Sequence, residues 1–301
     1  MNLFYSDVFV LPLPSHHRFP MGKYARLRDR LLESGEFGSD DLGVPPGVTD
    51  GEITRVHCPD YLRRVSCGAL SPAEQKAIGF PWSERMVERS RRSSGATLAA
   101  AREALTRGWS ANLAGGTHHA FRDRGEGFCV FNDAAIASRA LQAEAGLTRI
   151  AVIDCDVHQG NGTAAIFAGD DSVFTFSIHG ARNFPFAKES SDLDVELADG
   201  TGDDEYLWHL ERALDETLER SRPQLAFYLA GADPYEGDRL GRLKLTKAGL
   251  ARRDEMVLGT LASRRIPVAI AMAGGYARDI DDSVEIHANT IRAARRTWET
   301  A

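Results

Sequence analysis

The sequence predicts an α/β protein with a central, mostly parallel sheet and helices on both faces, folded as one domain over residues 1–301. Two observations carry that reading. Short apolar or β-branched runs alternate with longer segments whose apolar residues recur at helical spacing. Polar residues of unusual type also gather directly after several of the apolar runs, where open parallel sheets bind ligands. A chain of 301 residues that is 43% hydrophobic and 26% charged has the composition of a globular, enzyme-sized protein.

Taken in order, residues 3–11 (LFYSDVFVL) and 53–57 (ITRVH) are rich in aromatic and β-branched residues and read as strands. Between them, residues 42–52 (LGVPPGVTDGE) are the best linker candidate, but the run is short and the strand pattern resumes at once. Residues 84–108 carry apolar residues at helical spacing up to a closing glycine. The strand 110–116 (SANLAGG) leads to a helix at 132–146, and the continuous apolar run 149–154 (RIAVID) must be a buried strand. A strand at 172–178 (SVFTFSI), a helix at 203–221 and a strand at 224–231 (QLAFYLAG) follow. A helix at 246–265 and a strand at 267–275 (PVAIAMAGG) complete the alternation.

The formal charge of −7 and a pI near 5.7 argue against a nucleic-acid partner. The arginine run ERSRRSSG near residue 90 reads as a solvated helix face. No apolar run of ~18 residues suggests a membrane span, and the N-terminus lacks signal-peptide features, so a cytoplasmic protein is expected. Cys58, Cys67, Cys129 and Cys155 form no C-x-x-C pair and read as reduced thiols. Oligomeric state leaves no trace in the sequence.

Four strand ends carry the chemistry: His118 and His119, then Asp154 to His158, then Asp233, then Tyr276. On an extended strand Asp154, Asp156 and His158 would project together. Two carboxylates and an imidazole crowded at a buried strand end need a cation, with Asp233 as a further ligand and room for water and substrate. In the alternative reading, Asp154 and Asp156 cap the next helix and His158 is a hydrogen-bonded core residue; spacing alone leaves both open. The paired histidines of GGTHHAF offer a proton shuttle or ordinary surface hydrogen bonds. Tyr276, after Gly274 and Gly275, is either a half-buried aromatic or a donor to an oxyanion.

The motifs GGTHHAF, GFCVFNDAAIA, VIDCDVHQGNGT, AGADPYEGDRLGRLKLT and AGGY together resemble the zinc-dependent histone deacetylase family. The details DVHQGNG, GTGDDEYL and LTKAGLARRDEMV most resemble its class IV branch and bacterial relatives. The similarity runs from VHCPDYLRRV to the C-terminal helix and more loosely back to SHHRFPMGKYARL.

The resemblance implies the arginase/deacetylase fold and removal of acyl groups, acetyl or longer, from lysine side chains. It makes Asp156, His158 and Asp233 the ligands of Zn²⁺, with Fe²⁺ or Co²⁺ as alternatives. It makes His119 the general base and then acid, held by Asn161. His118 becomes its electrostatic partner, oriented by Asp154, and Tyr276 the oxyanion donor. Gly127, Phe128, Phe184, Gly274 and Gly275 are implied to line the substrate channel, although HGARNFPFAKESS aligns poorly with a channel wall. A potassium ion is implied near Asp154, Asp156, His158, Ser177 and Ile178. Many relatives have aspartate at the Asn161 position, and an amide there stabilises a cationic imidazole less strongly.

Rival readings are a deacylase of acetylpolyamines or other small acylamines, an arginase-like two-manganese hydrolase, and a non-catalytic acyl-lysine binding module. The first rivals lysine most closely. The second needs more bridging aspartates than DCDVHQGNG supplies. The third would not require a general base.

Overall fold

The structure, a computed structural model, describes residues 2–14 and 17–299, so Ser15 and His16 of the loosely similar N-terminal run lie outside the described residues. In chain order it comprises β1 (Leu3–Phe4), α1 (Lys23–Glu33), β2 (Leu42–Gly43), α2 (Asp50–Thr54), α3 (Pro59–Ser66), α4 (Pro72–Ile78), α5 (Glu84–Arg107) and β3 (Trp109–Asn112). It continues through α6 (Asp133–Ala145), β4 (Ile150–Asp154), α7 (Asn161–Phe167), β5 (Val173–Gly180) and β6 (Leu193–Leu197). Last come α8 (Asp203–Ser221), β7 (Leu225–Leu229), α9 (Lys247–Ser263), β8 (Val268–Ala271) and α10 (Ile280–Glu299).

The eight strands form one sheet in the order β2-β1-β3-β8-β7-β4-β5-β6, with every pairing parallel. Every residue of β3, β4, β7 and β8 is buried. Alternate side chains point to opposite faces, so both faces must be covered. The helix α5 packs on β1, β3 and β8 and against α6, and its buried Ala100, Ala101 and Ala104 permit that approach. Meanwhile α8 covers β4, β5 and β6, and α9 packs between α8 and α10. No helix among the described residues is long and apolar enough to cross a membrane.

Three expectations need correction. Of the strand expected at 3–11, only Leu3–Phe4 pairs, because Ser6 accepts a hydrogen bond from the Val8 amide and starts a 3-10 turn. The expected strand at 53–57 is instead the end of α2 and a turn. Thr49 and Glu52 form a reciprocal cap just upstream, and the helix they nucleate takes Ile53 and Thr54. Third, the arginine run is not a solvated face. Arg89 is buried and donates to Phe9 O and the Tyr24 hydroxyl, while Arg91 pairs with Asp50. Residues 42–52 do not divide domains, since β2 joins the sheet edge there.

Candidate metal centre

The strands β3, β8, β7 and β4 are neighbours in the sheet. Their carboxyl ends therefore bring His118–His119, Tyr276, Asp233 and the 154–158 segment to one place. The alternation expected for Asp154, Asp156 and His158 does not hold, because β4 stops at Asp154. Tight turns take over, with Asp154 Oδ1 accepting from Asp156 N (3.1 Å) and Asp156 Oδ1 accepting from His158 N (2.9 Å). This sends Asp154 towards His118, while Asp156 and His158 turn to Asp233.

Ligand atoms of Asp156, His158 and Asp233 all lie within 4.8 Å of one another, and all three residues are buried. Asp233 Oδ1 accepts from Val157 N at 2.9 Å, and Asp156 Oδ2 from Gly274 N at 2.7 Å. Asp233 Oδ2 has no hydrogen-bond partner among the described residues and sits 3.2 Å from His158 Nδ1. The helix-capping reading fails, since α7 begins after Gly160 with no side-chain cap.

Burial disfavours every charge here, yet the cluster demands a positive one. His158, despite burial, is raised to about 10 by its hydrogen bond to Asp156 and the adjacent Asp233 carboxylate. Burial and the neighbouring Asp156 raise Asp233 to about 7. A divalent cation among these oxygen and nitrogen donors meets that demand, and an orphaned buried carboxylate oxygen aimed into the cluster fits such an ion.

The histidine pair is split electrostatically. His118 Nδ1 donates to Asp154 Oδ2 at 2.6 Å, and although burial opposes it, Asp154 and Asp156 raise His118 to about 9. Burial first, then the charges of His118 and His158, push His119 well below the usual histidine range. The surroundings favour protonation of one ring and disfavour it on its neighbour, the condition for a base beside an electrostatic partner.

The proton position on His119 follows from a residue that the sequence does not reveal. Glu126 Oε1 accepts from Asn161 Nδ2 at 2.7 Å, so Asn161 must turn its Oδ1 to His119 Nδ1, also 2.7 Å away. A carboxylate can only accept, which fixes the amide. His119 therefore carries its proton on Nδ1 and leaves Nε2 free.

Phe128, Phe184 and Gly127 line a cavity of about 570 Å³ with His119, His158 and Tyr276. Gly127 adopts φ +56°, and a Cβ there would collide with the His119 ring. The Phe184 ring lies edge-on to His119 at 4.9 Å, so the poorly aligned 179–191 run does supply a wall. At the cluster itself lies a cavity of only about 30 Å³, bordered by Asp156, His158, His119 and Tyr276 on one side and by Tyr24, Arg89 and Gly116 on the other. Burial, then Asp233 and Asp156, push the buried Tyr276 phenol well above its usual range, keeping it a donor. Gly274 touches the acids directly, and Gly275 is held through its carbonyl by Lys23. Ser177 and Ile178 lie on β5, with Ser177 opposite Asp154.

Three more supports escape sequence reading. Asp133 collects the amides of Gly116 and Thr117 and so positions the loop before His118. Asp238 accepts from the Tyr276 amide at 2.6 Å. The buried Lys23 donates to Ala273 O at 3.0 Å, bracing the AGGY turn. Asp133 and Asp238 stand inside the quoted motifs and Lys23 inside the loosely similar run, the one signal available for each.

Residues 17–291 match the family model described as Histone deacetylase domain. The chain is 45% identical over 294 residues to an uncharacterised protein of Picosynechococcus sp., covering 98% of each chain. It is 31% identical to histone deacetylase 2 of Arabidopsis thaliana, over 93% of this chain and 76% of that one. Among solved structures, an acetylpolyamine aminohydrolase from Burkholderia pseudomallei superposes with a TM-score of 0.78 at 22% identity, covering 98% of both chains.

Proposed function

The chain belongs to the histone deacetylase family, which makes it a deacetylase-type amidohydrolase, and on that premise we propose that it removes acetyl groups from lysine side chains using Zn²⁺ held by Asp156, His158 and Asp233. One observation carries the reading. Three buried ligand-type side chains stand beside an electrostatically split histidine pair, and His119 and His158 reach from that group into the large cavity. A cation held there would supply Lewis-acid polarisation of a carbonyl and acidification of water.

The remaining steps fall to the protein's own groups. His119 Nε2, kept neutral and correctly protonated by Asn161 and Glu126, takes the proton of the attacking water and returns one to the leaving amine. His118, whose protonation the Asp154 carboxylate favours, stabilises the negative charge that develops next to it. The Tyr276 hydroxyl donates to the oxyanion. Phe128 and Phe184 exclude water from the aliphatic lysine stem.

The inner cavity of about 30 Å³ is far smaller than the outer one of about 570 Å³, which favours acetyl over long acyl chains. Likeness to the acetylpolyamine enzyme is a likeness of fold and does not itself favour a small-amine substrate. A potassium ion beside Asp154 and Ser177 belongs to the same proposal, supported by the adjacency of β4 and β5. The deciding experiment is an assay of metal-replete protein on lysine peptides of increasing acyl length and on acetylpolyamines, with a chelator control and KCl compared with NaCl. Short-chain lysine turnover abolished by chelation and restored by zinc is expected. Binding of acyl peptides without turnover would instead favour a recognition module.

A further inference from the structure

The mouth of the main cavity carries a charge opposite to that of the whole chain. The sequence holds 36 Lys and Arg against 43 Asp and Glu. The described residues lining the cavity nevertheless include Arg18, Lys76, Arg182 and Arg242 against a single acid, Glu126. These cations come from four separate segments: the loop before α1, the helix α4, and the loops after β5 and β7. All four are exposed. Arg242 is paired with Asp199 at 3.2 Å, whereas Arg18, Lys76 and Arg182 have no ion-pair partner among the described residues. Glu126 offsets little of this, because it is half-buried and engaged with Asn161. Phe186, 86% exposed, stands on the same lining.

We propose that this mouth selects acyl-lysines embedded in acidic peptide sequence and turns away cationic acylamines such as acetylpolyamines. The inference rests on the deacylase reading and names its substrate class. Converging like charges left unpaired around an opening attract anions and repel cations, and a cleft focuses that field. The anionic groups cannot belong to the acyl chain, because that end of the substrate meets Asp156, Asp233 and a cavity of about 30 Å³. They must lie on the part that stays outside, the residues flanking the modified lysine. A polyamine would leave its ammonium groups among Arg18, Lys76 and Arg182. Phe186 offers the peptide an apolar contact beside the charges.

The test uses the metal-loaded protein and acetyl-lysine peptides of equal length whose flanks are acidic, neutral or basic, together with acetylspermidine. At low ionic strength kcat/KM should fall from acidic to basic flanks by about tenfold or more, mainly through KM. The gap should shrink to within about twofold in ~0.5 M salt, where screening acts over a few ångströms. Fluorescence anisotropy of labelled acidic and basic peptides should give the same order in Kd, independently of turnover. Lys76→Glu and Arg182→Glu, made singly and together, should weaken and then invert the preference. Equal kcat/KM on the three peptides, a preference for basic flanks or acetylspermidine, or insensitivity to salt would overturn the inference while leaving the deacylase reading intact. Failure to hydrolyse any of these substrates would overturn that reading, and the inference with it.

Discussion

Beneath the cavity, Asp156, His158 and Asp233 are buried, and the two carboxylates accept the backbone amides of Val157, His158 and Gly274. At its mouth, Arg18, Lys76 and Arg182 are exposed and have no ion-pair partner among the described residues. The floor is rigid because each group fixes the next, and the central strands that deliver it are buried throughout. The mouth is assembled from loops and one short helix whose side chains answer mainly to solvent. The contrast teaches that chemistry and selection are separable here: a floor change should act on metal or kcat, a mouth change on KM and salt dependence.

The largest effect should come from Asp233→Ala. Elemental analysis should find the metal nearly absent and activity below detection, and full occupancy would break the contrast at its root. Next is Tyr276→Phe, which should lower kcat by ~10² to 10³ while metal content stays unchanged, the usual cost of losing an oxyanion donor. A loss expressed in KM would move Tyr276 from the floor to the mouth.

A third prediction asks how far the rigid region extends. His57 is fully buried, donating from Nδ1 to Phe121 O and accepting the Asn132 amide at Nε2, and burial lowers it to about 4. Between its ordinary value near 6.5 and 4, only the unfolded chain takes up the proton. Its contribution is therefore complete above pH 6.5 and is lost as the pH falls towards 4, by about 3 kcal/mol. Urea unfolding of wild type and His57→Asn across that range should show the wild type's stability falling more steeply. The smallest effect belongs to Glu126→Ala, which should lower kcat about tenfold with KM little changed, as loss of a second support behind a catalytic ring does. Glu126→Gln, still able to accept from Asn161, should recover most of it.

The floor was legible in the sequence because its residues sit in short local motifs at the ends of strongly apolar strands. His118, His119, Asp156, His158, Asp233 and Tyr276 converge as the motif reading expected. The parallel sheet and its central strands were equally readable from apolar runs such as IAVID and LAFYL. What escaped notice lacks such signals. The edge strand β6 (LDVEL) is mostly half-buried and alternates charge with apolar residues, while β2 contributes only two residues. In α2, β-branched Ile53 and Thr54 pointed to a strand, yet the reciprocal cap four residues earlier outweighed them. Glu126 reads as a loop charge until the fold brings it to Asn161, 35 positions away. Arg253, on α9, is wholly buried because it holds the Gly231 carbonyl after β7, a role that helical spacing cannot announce.

Gly274 sits where the AGGY turn presses against the acids, and a Cβ added there would overlap the Asp233 carboxylate. No side chain, however small, can be accommodated without displacing that oxygen. Saturation mutagenesis at this codon should accordingly return one viable residue and no graded series. Lineages or laboratory selections that reshape what the enzyme accepts would then accumulate their beneficial changes at positions such as Lys76, Arg182 and Arg242, leaving codon 274 untouched.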